Sequence, residues 1–189
     1  MAGPVAYALY GALRLARLDR SGIAYFDRTL EGFWASYQAA ALAFIPYLLT
    51  LQLEITDLQW KKAGAPRIYA VMVIGYVIFW AGYPLVVMPL LQWLGRERRA
   101  FDFLVPYNWA QFLETAALLF VQALAAGAVL PKSAAIAALS ALQAATLVYE
   151  WFIARVALEV TGGQATLIVA VNFAFAMVVS GIRDALIGG

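Results

Sequence analysis

Within FLVPYNWAQFLETAALLF, Phe103 to Phe120, Glu114 stands inside a stretch that otherwise reads as a membrane-crossing helix. At 100° per residue, Gln111, Thr115 and Gln122 fall on one helical face, flanked by Glu114 and Asn108. Farther along, Ser140, Gln143, Thr146 and Glu150 share a face, and Asn172, Ala176, Ser180 and Arg183 form a stripe of polar and small residues. An ionised side chain at the centre of a bilayer costs at least ~2.5–3.5 kcal/mol on insertion scales. Glu114 and Glu150 are therefore expected to turn away from lipid, toward a cluster made of Gln111, Glu114, Thr115, Gln143, Glu150 and Asn172. Such a cluster can bind a proton or ligand, since intramembrane ionisable groups mark pathways. It can equally join helices by hydrogen bonds, a usual role of membrane Gln, Asn, Ser and Thr. Both chemistries stay open. Arg155, Arg96, Arg98 and Arg99 are candidates to neutralise Glu150.

Other chemistries are excluded by residue type. The chain has no Cys, which removes disulfides, thiolate catalysis and Cys-based metal sites. It has no His, the commonest metal ligand and neutral-pH acid/base. Ser and Thr are scattered without a base, so no nucleophile–base pair is read and no enzymatic activity is expected. No cofactor is implied. A net charge of +2 points to no nucleic-acid partner. TGGQ, Thr161–Gln164, is a short turn rather than a phosphate loop, which needs a longer glycine frame and a lysine. LEITDLQWKKAGAPR reads as a solvated loop of mixed charge, in which Glu54 and Asp57 are at most a weak cation site.

The elements that must position the cluster follow from hydropathy. Of 189 residues, 65% are hydrophobic and 13% charged, against about a quarter charged in soluble domains. Mean hydropathy is +0.79. The expected fold is all-α: a polytopic integral membrane protein, a bundle of five transmembrane helices preceded by an amphipathic interfacial helix. The spans fall near Trp34–Leu53, Ile68–Leu94, Pro106–Leu130, Ser133–Ala157 and Ala165–Leu186. Residues 1–33 form the N-terminal segment and residues 34–189 the bundle. Pro46, Pro84 and Pro89 are expected to kink the first two spans. No internal repeat is evident, and an odd number of spans argues against a simple duplicated transporter.

Residues Pro4 to Ala16 read as a helix with Val5, Leu9, Ala12, Leu13 and Ala16 on one face and Arg14 and Arg17 directed at lipid phosphates. RSG, Arg20–Gly22, is expected to end it. The stretch does not read as a cleaved signal peptide, because no basic region precedes its apolar run. With the N-terminus inside, eight Arg lie on inner segments and five Lys or Arg on outer ones, GRERRA being the strongest inside marker. Trp34, Trp60, Trp93, Trp109 and Trp151 fall near span ends, where aromatic belts sit. That orientation puts Glu114 ~12 Å and Glu150 ~8 Å from the inner ends of their helices. Asn172, Gln38 and Gln92 fall in the same inner third, so all five spans are expected to contribute polar groups at one depth.

Five spans in this layout, the basic loop GRERRA after the second, VPYNW leading into the third, and LVYEWFIARVAL resemble the YIP-type family of small multi-span membrane proteins, including bacterial members of the alphaproteobacterial kind. The resemblance covers about Leu30 to Gly189. It implies a helical membrane bundle with no enzymatic activity and no catalytic residues. The family's aspartate-leucine-tyrosine-glycine-proline motif is missing, so a vesicle-trafficking role is not carried over. The expected location is the bacterial cytoplasmic (inner) membrane, N-terminus inside. The expected partners are membrane lipids and other membrane proteins or a second copy of the chain. The leading expectation is a protein that works through contacts, as accessory or scaffold subunit of a membrane complex or as a membrane organiser whose amphipathic N-terminus senses the inner leaflet. The alternative is a small transporter or lipid-handling protein using Glu114 and Glu150.

Overall fold

The computed structural model describes residues 3–188. They form eight α-helices: α1 (Pro4–Ala16), α2 (Leu30–Ser36), α3 (Gln38–Glu54), α4 (Asp57–Ala63), α5 (Ala65–Trp93), α6 (Ala100–Ala126), α7 (Lys132–Leu158) and α8 (Gly162–Gly188). Short 3-10 helices, Arg20–Tyr25 and Glu97–Arg99, precede α2 and α6. The helices α5 to α8 are long and apolar enough to cross a membrane. At 1.5 Å per residue each reaches about 40 Å, more than a hydrocarbon core of ~30 Å. A fifth crossing exists only if the bent pair Leu30–Glu54 and Asp57–Ala63, which turns through 103°, counts as one.

That bend corrects the reading of LEITDLQWKKAGAPR as a loop. Thr56 and Gln59 cap each other reciprocally and start α4, and Gly64, at φ +74°, ends it. Such a box satisfies two orphan N–H groups, which stabilises even a short helix. The same chemistry opens α8. Thr161 N–H donates to Gln164 Oε1 at 2.9 Å and Gln164 N–H to Thr161 Oγ1 at 3.3 Å. TGGQ is thus a capping box as well as a turn.

Packing radiates from the first half of α6. Every residue from Phe103 to Gln111 is buried, which requires neighbours on all sides. These are α3, α7, α1 and α2, while α5 packs on α8 and α8 on α7. The helix begins at Ala100 and not at Pro106, because Ala100, Phe103 and Leu104 are core residues. Trp109 lies in that core too and belongs to no aromatic belt; Trp34 and Trp93 are exposed at helix ends.

The prolines do not break their helices. α5 runs through Pro84 and Pro89, and α3 through Pro46. Pro84 has no N–H to give the carbonyl four residues back, Trp80 O. The Tyr37 hydroxyl, from the junction of α2 and α3, donates to that oxygen at 3.3 Å. Tyr76 donates to Ala40 O at 2.5 Å and Tyr47 to Met72 O at 3.1 Å, so α3 and α5 are laced through tyrosines onto backbone carbonyls.

The N-terminal helix is docked on the bundle through a face that overlaps the expected one at Val5, Leu9 and Ala12 but is turned away from Leu13 and Ala16. Ala8, Gly11, Ala12 and Leu15 are buried, whereas Leu13 and Ala16 are exposed. The small residues select that face. A Cβ on Gly22 would lie 2.6 Å from Gly11 O, so the chain after α1 folds back in near contact with it. The Tyr149 hydroxyl donates to Ala12 O at 2.7 Å and ties α1 to α7. The break comes at Leu18, φ +59°, two residues before RSG.

Candidate functional site

Three consecutive residues of α7 project about 100° apart, and each meets a different neighbour. Tyr149 reaches α1, and Trp151 Nε1 donates to Gly162 O at 3.1 Å, where α8 begins. Between these anchors Glu150, 7% exposed, points into the bundle. Its Oε1 accepts from Gln111 Nε2 of α6 at 2.9 Å and from Asn172 Nδ2 of α8 at 2.8 Å. One carboxylate oxygen thereby joins three helices.

The cluster extends on either side. Asn172 Oδ1 accepts from the Tyr107 hydroxyl at 2.9 Å, which orients the amide so that its nitrogen faces Glu150. Gln111 Nε2 also lies 3.3 Å from Glu114 Oε2. The two carboxylates are therefore both within hydrogen-bond reach of a single nitrogen. Thr115 contributes to the α6 turn and not to the carboxylates, its hydroxyl donating to Gln111 O at 2.7 Å. Glu114 Oε1 is buried and has no hydrogen-bond partner among the described residues.

Glu114, Glu150 and Asn172 lie in the wall of a cleft of about 540 Å³ between α6, α7 and α8. Its polar wall continues through Gln143 and Thr146 to Ser180 and Asp184, toward the α8 C-terminus. Leu118, Leu139, Leu142, Phe173 and Met177 make the rest largely apolar. Among the described residues no Lys or Arg lines it. A smaller cavity of about 190 Å³ lies against Gln111, Thr115 and Ser180, with Tyr47, Tyr76 and Arg183 in its wall. Arg183 is held 2.8 Å from Asp184 and 3.9 Å from Glu54.

Several sequence expectations change. The cluster draws on α6, α7 and α8 alone; Gln38 and Gln92 are exposed. Gln143 is exposed on the cleft wall and pairs with Thr146 at 3.5 Å, without bonding either carboxylate. Asn108 donates to Ser36 Oγ of α2 at 2.8 Å, and Gln122 to Glu54 at 2.8 Å. None of the arginines reaches Glu150. Arg99 pairs with the Glu159 carboxylate at 2.9 Å, Arg96 donates to Glu159 O at 3.2 Å, Arg155 donates to Val160 O, and Arg98 is exposed. Arg96, Arg99 and Arg155 gather at the C-terminal end of α7, where the helix dipole and unpaired carbonyls attract cations.

The N-terminal arginines also part company. Arg17 is exposed, but Arg14 is engaged within the chain. Its Nε and Nη2 lie 2.7 and 2.5 Å from Asp19 Oδ2, and Nη1 lies 3.3 Å from the Tyr25 hydroxyl. Hydrogen bonds from Ser21, then from Arg14, lower the Asp19 carboxyl from its usual 3.8 to about 2. Among the described residues no group of three or more acidic side chains is placed to hold a metal ion, and Glu54 accepts from Gln122 and faces Arg183.

The structure adds Tyr107, which bonds Asn172, and Tyr83 beside it to the expected cluster. Tyr107 lies four residues before Gln111, on its stripe, and the tyrosine hydroxyl was the signal to count. Tyr83 stacks on it with ring centroids 4.4 Å apart, a contact between helices that no pattern announces.

Fold and site together define an all-helical protein with four helices long and apolar enough to cross a membrane, and a carboxylate-walled cleft between three of them. Comparison with protein-family models, curated proteins and solved structures yields no match, so this class rests on the geometry alone.

Proposed function

We propose that the chain is a five-crossing protein of the bacterial cytoplasmic membrane, N-terminus inside, and that it is a small non-enzymatic transporter or lipid-handling protein which takes its ligand in the α6–α8 cleft. The observation that carries this reading is a cleft of about 540 Å³, the size of a small-molecule site, with two carboxylates at its polar end and an unpartnered oxygen on Glu114. A cluster serving only to pack helices has no need of an adjoining cavity. Five crossings are supported by the bent pair Leu30–Glu54 and Asp57–Ala63, long and apolar enough when taken as one span, and by the layout shared with YIP-type proteins. The orientation is supported by the eight arginines at the α1 end of the bundle. The test is flux or ligand binding in reconstituted vesicles. Glu114→Gln and Glu150→Gln abolish it while thermal unfolding in detergent is retained; unchanged flux would remove the reading.

A second reading, an accessory or organising subunit that works through contacts with lipids, other membrane proteins or its own copies, is favoured by one feature. The docked α1 leaves Tyr7, Tyr10 and Leu13 exposed beside Arg17, a mixture suited to the membrane interface. Deleting residues 1–20 would then change membrane distribution or co-purifying proteins, and no change would dismiss it.

A further inference from the structure

We propose that the ligand of the α6–α8 cleft is an amphiphilic primary ammonium, an alkylamine or an amine carried on a lipid; this rests on the cleft being a binding site. Charge gives the first argument. The wall contains Glu114, Glu150 and Asp184 and no basic side chain, so it attracts a cation and disfavours an anion. Asp184 is already paired with Arg183 at the far end, which leaves Glu114 and Glu150 as the pair that receives the charge.

Hydrogen bonding narrows the class. Both bonds to Glu150 fall on Oε1, leaving Oε2 without a donor, although the residue is only 7% exposed. Glu114 Oε1 is buried and unpartnered. A buried carboxylate oxygen lacking a donor, as on Glu114, is costly, whereas Glu150 Oε2 keeps accessible surface in the cleft wall; a charge-assisted N–H bond suits both. A primary ammonium carries three N–H donors, enough for both carboxylates. A trimethylammonium carries none. The apolar half of the site fits a hydrocarbon body, since Leu118, Leu139, Leu142 and Phe173 flank the route from the carboxylates. Entry is from the side. α7 and α8 are joined near Glu150 and Trp151, whereas Gln143 on α7 and Met177 and Gly181 on α8, farther along the cleft, are exposed.

The experiment is calorimetric titration of the protein in phosphatidylcholine nanodiscs with octylammonium, octyltrimethylammonium and octyl sulfate, using discs with the double variant E114Q/E150Q as the reference for partitioning into lipid. Octylammonium is expected to bind about tenfold or more tightly to the native protein than to the double variant, the scale of a charge-assisted hydrogen bond. The trimethyl analogue, held by charge without an N–H donor, should lose clearly less, and the sulfate should not bind the native protein more tightly than the double variant. Gly181→Phe supplies a block that touches neither carboxylate. A Cβ there meets nothing within 4 Å, so the ring can occupy the mouth, and octylammonium binding should fall. Discs containing phosphatidylethanolamine separate the sources: weaker octylammonium binding in them identifies a lipid amine, unchanged binding a free one, and both agree with the ammonium class. If the trimethyl compound binds as tightly as the primary amine and Gly181→Phe weakens both, the cleft is a site and the ammonium class is wrong. If neither the double variant nor Gly181→Phe alters binding, both the class and the cleft fall.

Discussion

Gln111 of α6 and Glu150 of α7 meet through a 2.9 Å hydrogen bond across 39 positions of sequence, and the same Glu150 oxygen accepts from Asn172. The acceptor, more than its charge, holds the three helices together. Glu150→Gln keeps an oxygen at that point, so thermal unfolding in detergent should change by less than about 1 kcal/mol. Glu150→Ala orphans two amide donors and should cost about 2–3 kcal/mol. Equal losses for the two variants would contradict this account.

Tyr37 and Pro84 form a coupled pair, because the tyrosine supplies the donor that the proline lacks. Tyr37→Phe should destabilise by about 1 kcal/mol, and by clearly less in a Pro84→Ala background, where the helix supplies its own N–H to Trp80 O. A double-mutant cycle reads the coupling directly, and strict additivity would refute it.

The dock of α1 depends on the absence of side chains at Gly11 and Gly22. Gly22→Ala places a Cβ 2.6 Å from Gly11 O and should free α1, at a cost of about 1–3 kcal/mol. Gly3→Ala, where a Cβ meets nothing within 4 Å, should have no such effect. Amide exchange across Pro4–Ala16 distinguishes them: faster exchange is expected for Gly22→Ala alone.

Tyr149→Phe should loosen the same helix from the other side. It removes the 2.7 Å bond to Ala12 O and leaves that carbonyl without its extra donor, so limited proteolysis after α1 should accelerate. Unaltered cleavage would show that the bond contributes nothing to docking.

The turn after α1 should resist acid. The Asp19 carboxyl is depressed from 3.8 to about 2 by Ser21 and Arg14. A depressed carboxyl contributes its stabilisation fully above the unfolded value and loses it as pH falls through the folded one. The Arg14–Asp19 link should therefore persist at pH 4 and open only near pH 2. Carboxyl-selective NMR titration of Asp19 tests it, and a midpoint near the ordinary value would exclude the bonds from Ser21 and Arg14.

Local pattern was sufficient for much of this protein. Long apolar runs located the helices that became α3 and α5 to α8, because helix formation in such runs needs only their own backbone bonds. The 3.6-residue period placed Gln111, Glu114 and Thr115 on one stripe, because side-chain direction on a helix is a local property. Partners are not local. A helical wheel tells which way Asn108 and Gln122 face, but Ser36 and Glu54 came to meet them through the placement of α2 and α3 against α6. The arginines looked equally able to reach Glu150 until the α7–α8 turn drew three of them to its carbonyls and to Glu159. Likewise α1 could bury either of two overlapping faces on hydrophobicity alone. The closer approach allowed by Gly11 and Gly22 selected one, and that choice exists only once the helix has something to pack against. The cleft belongs to the same category, being the space left where α7 and α8, joined near Glu150, part farther along.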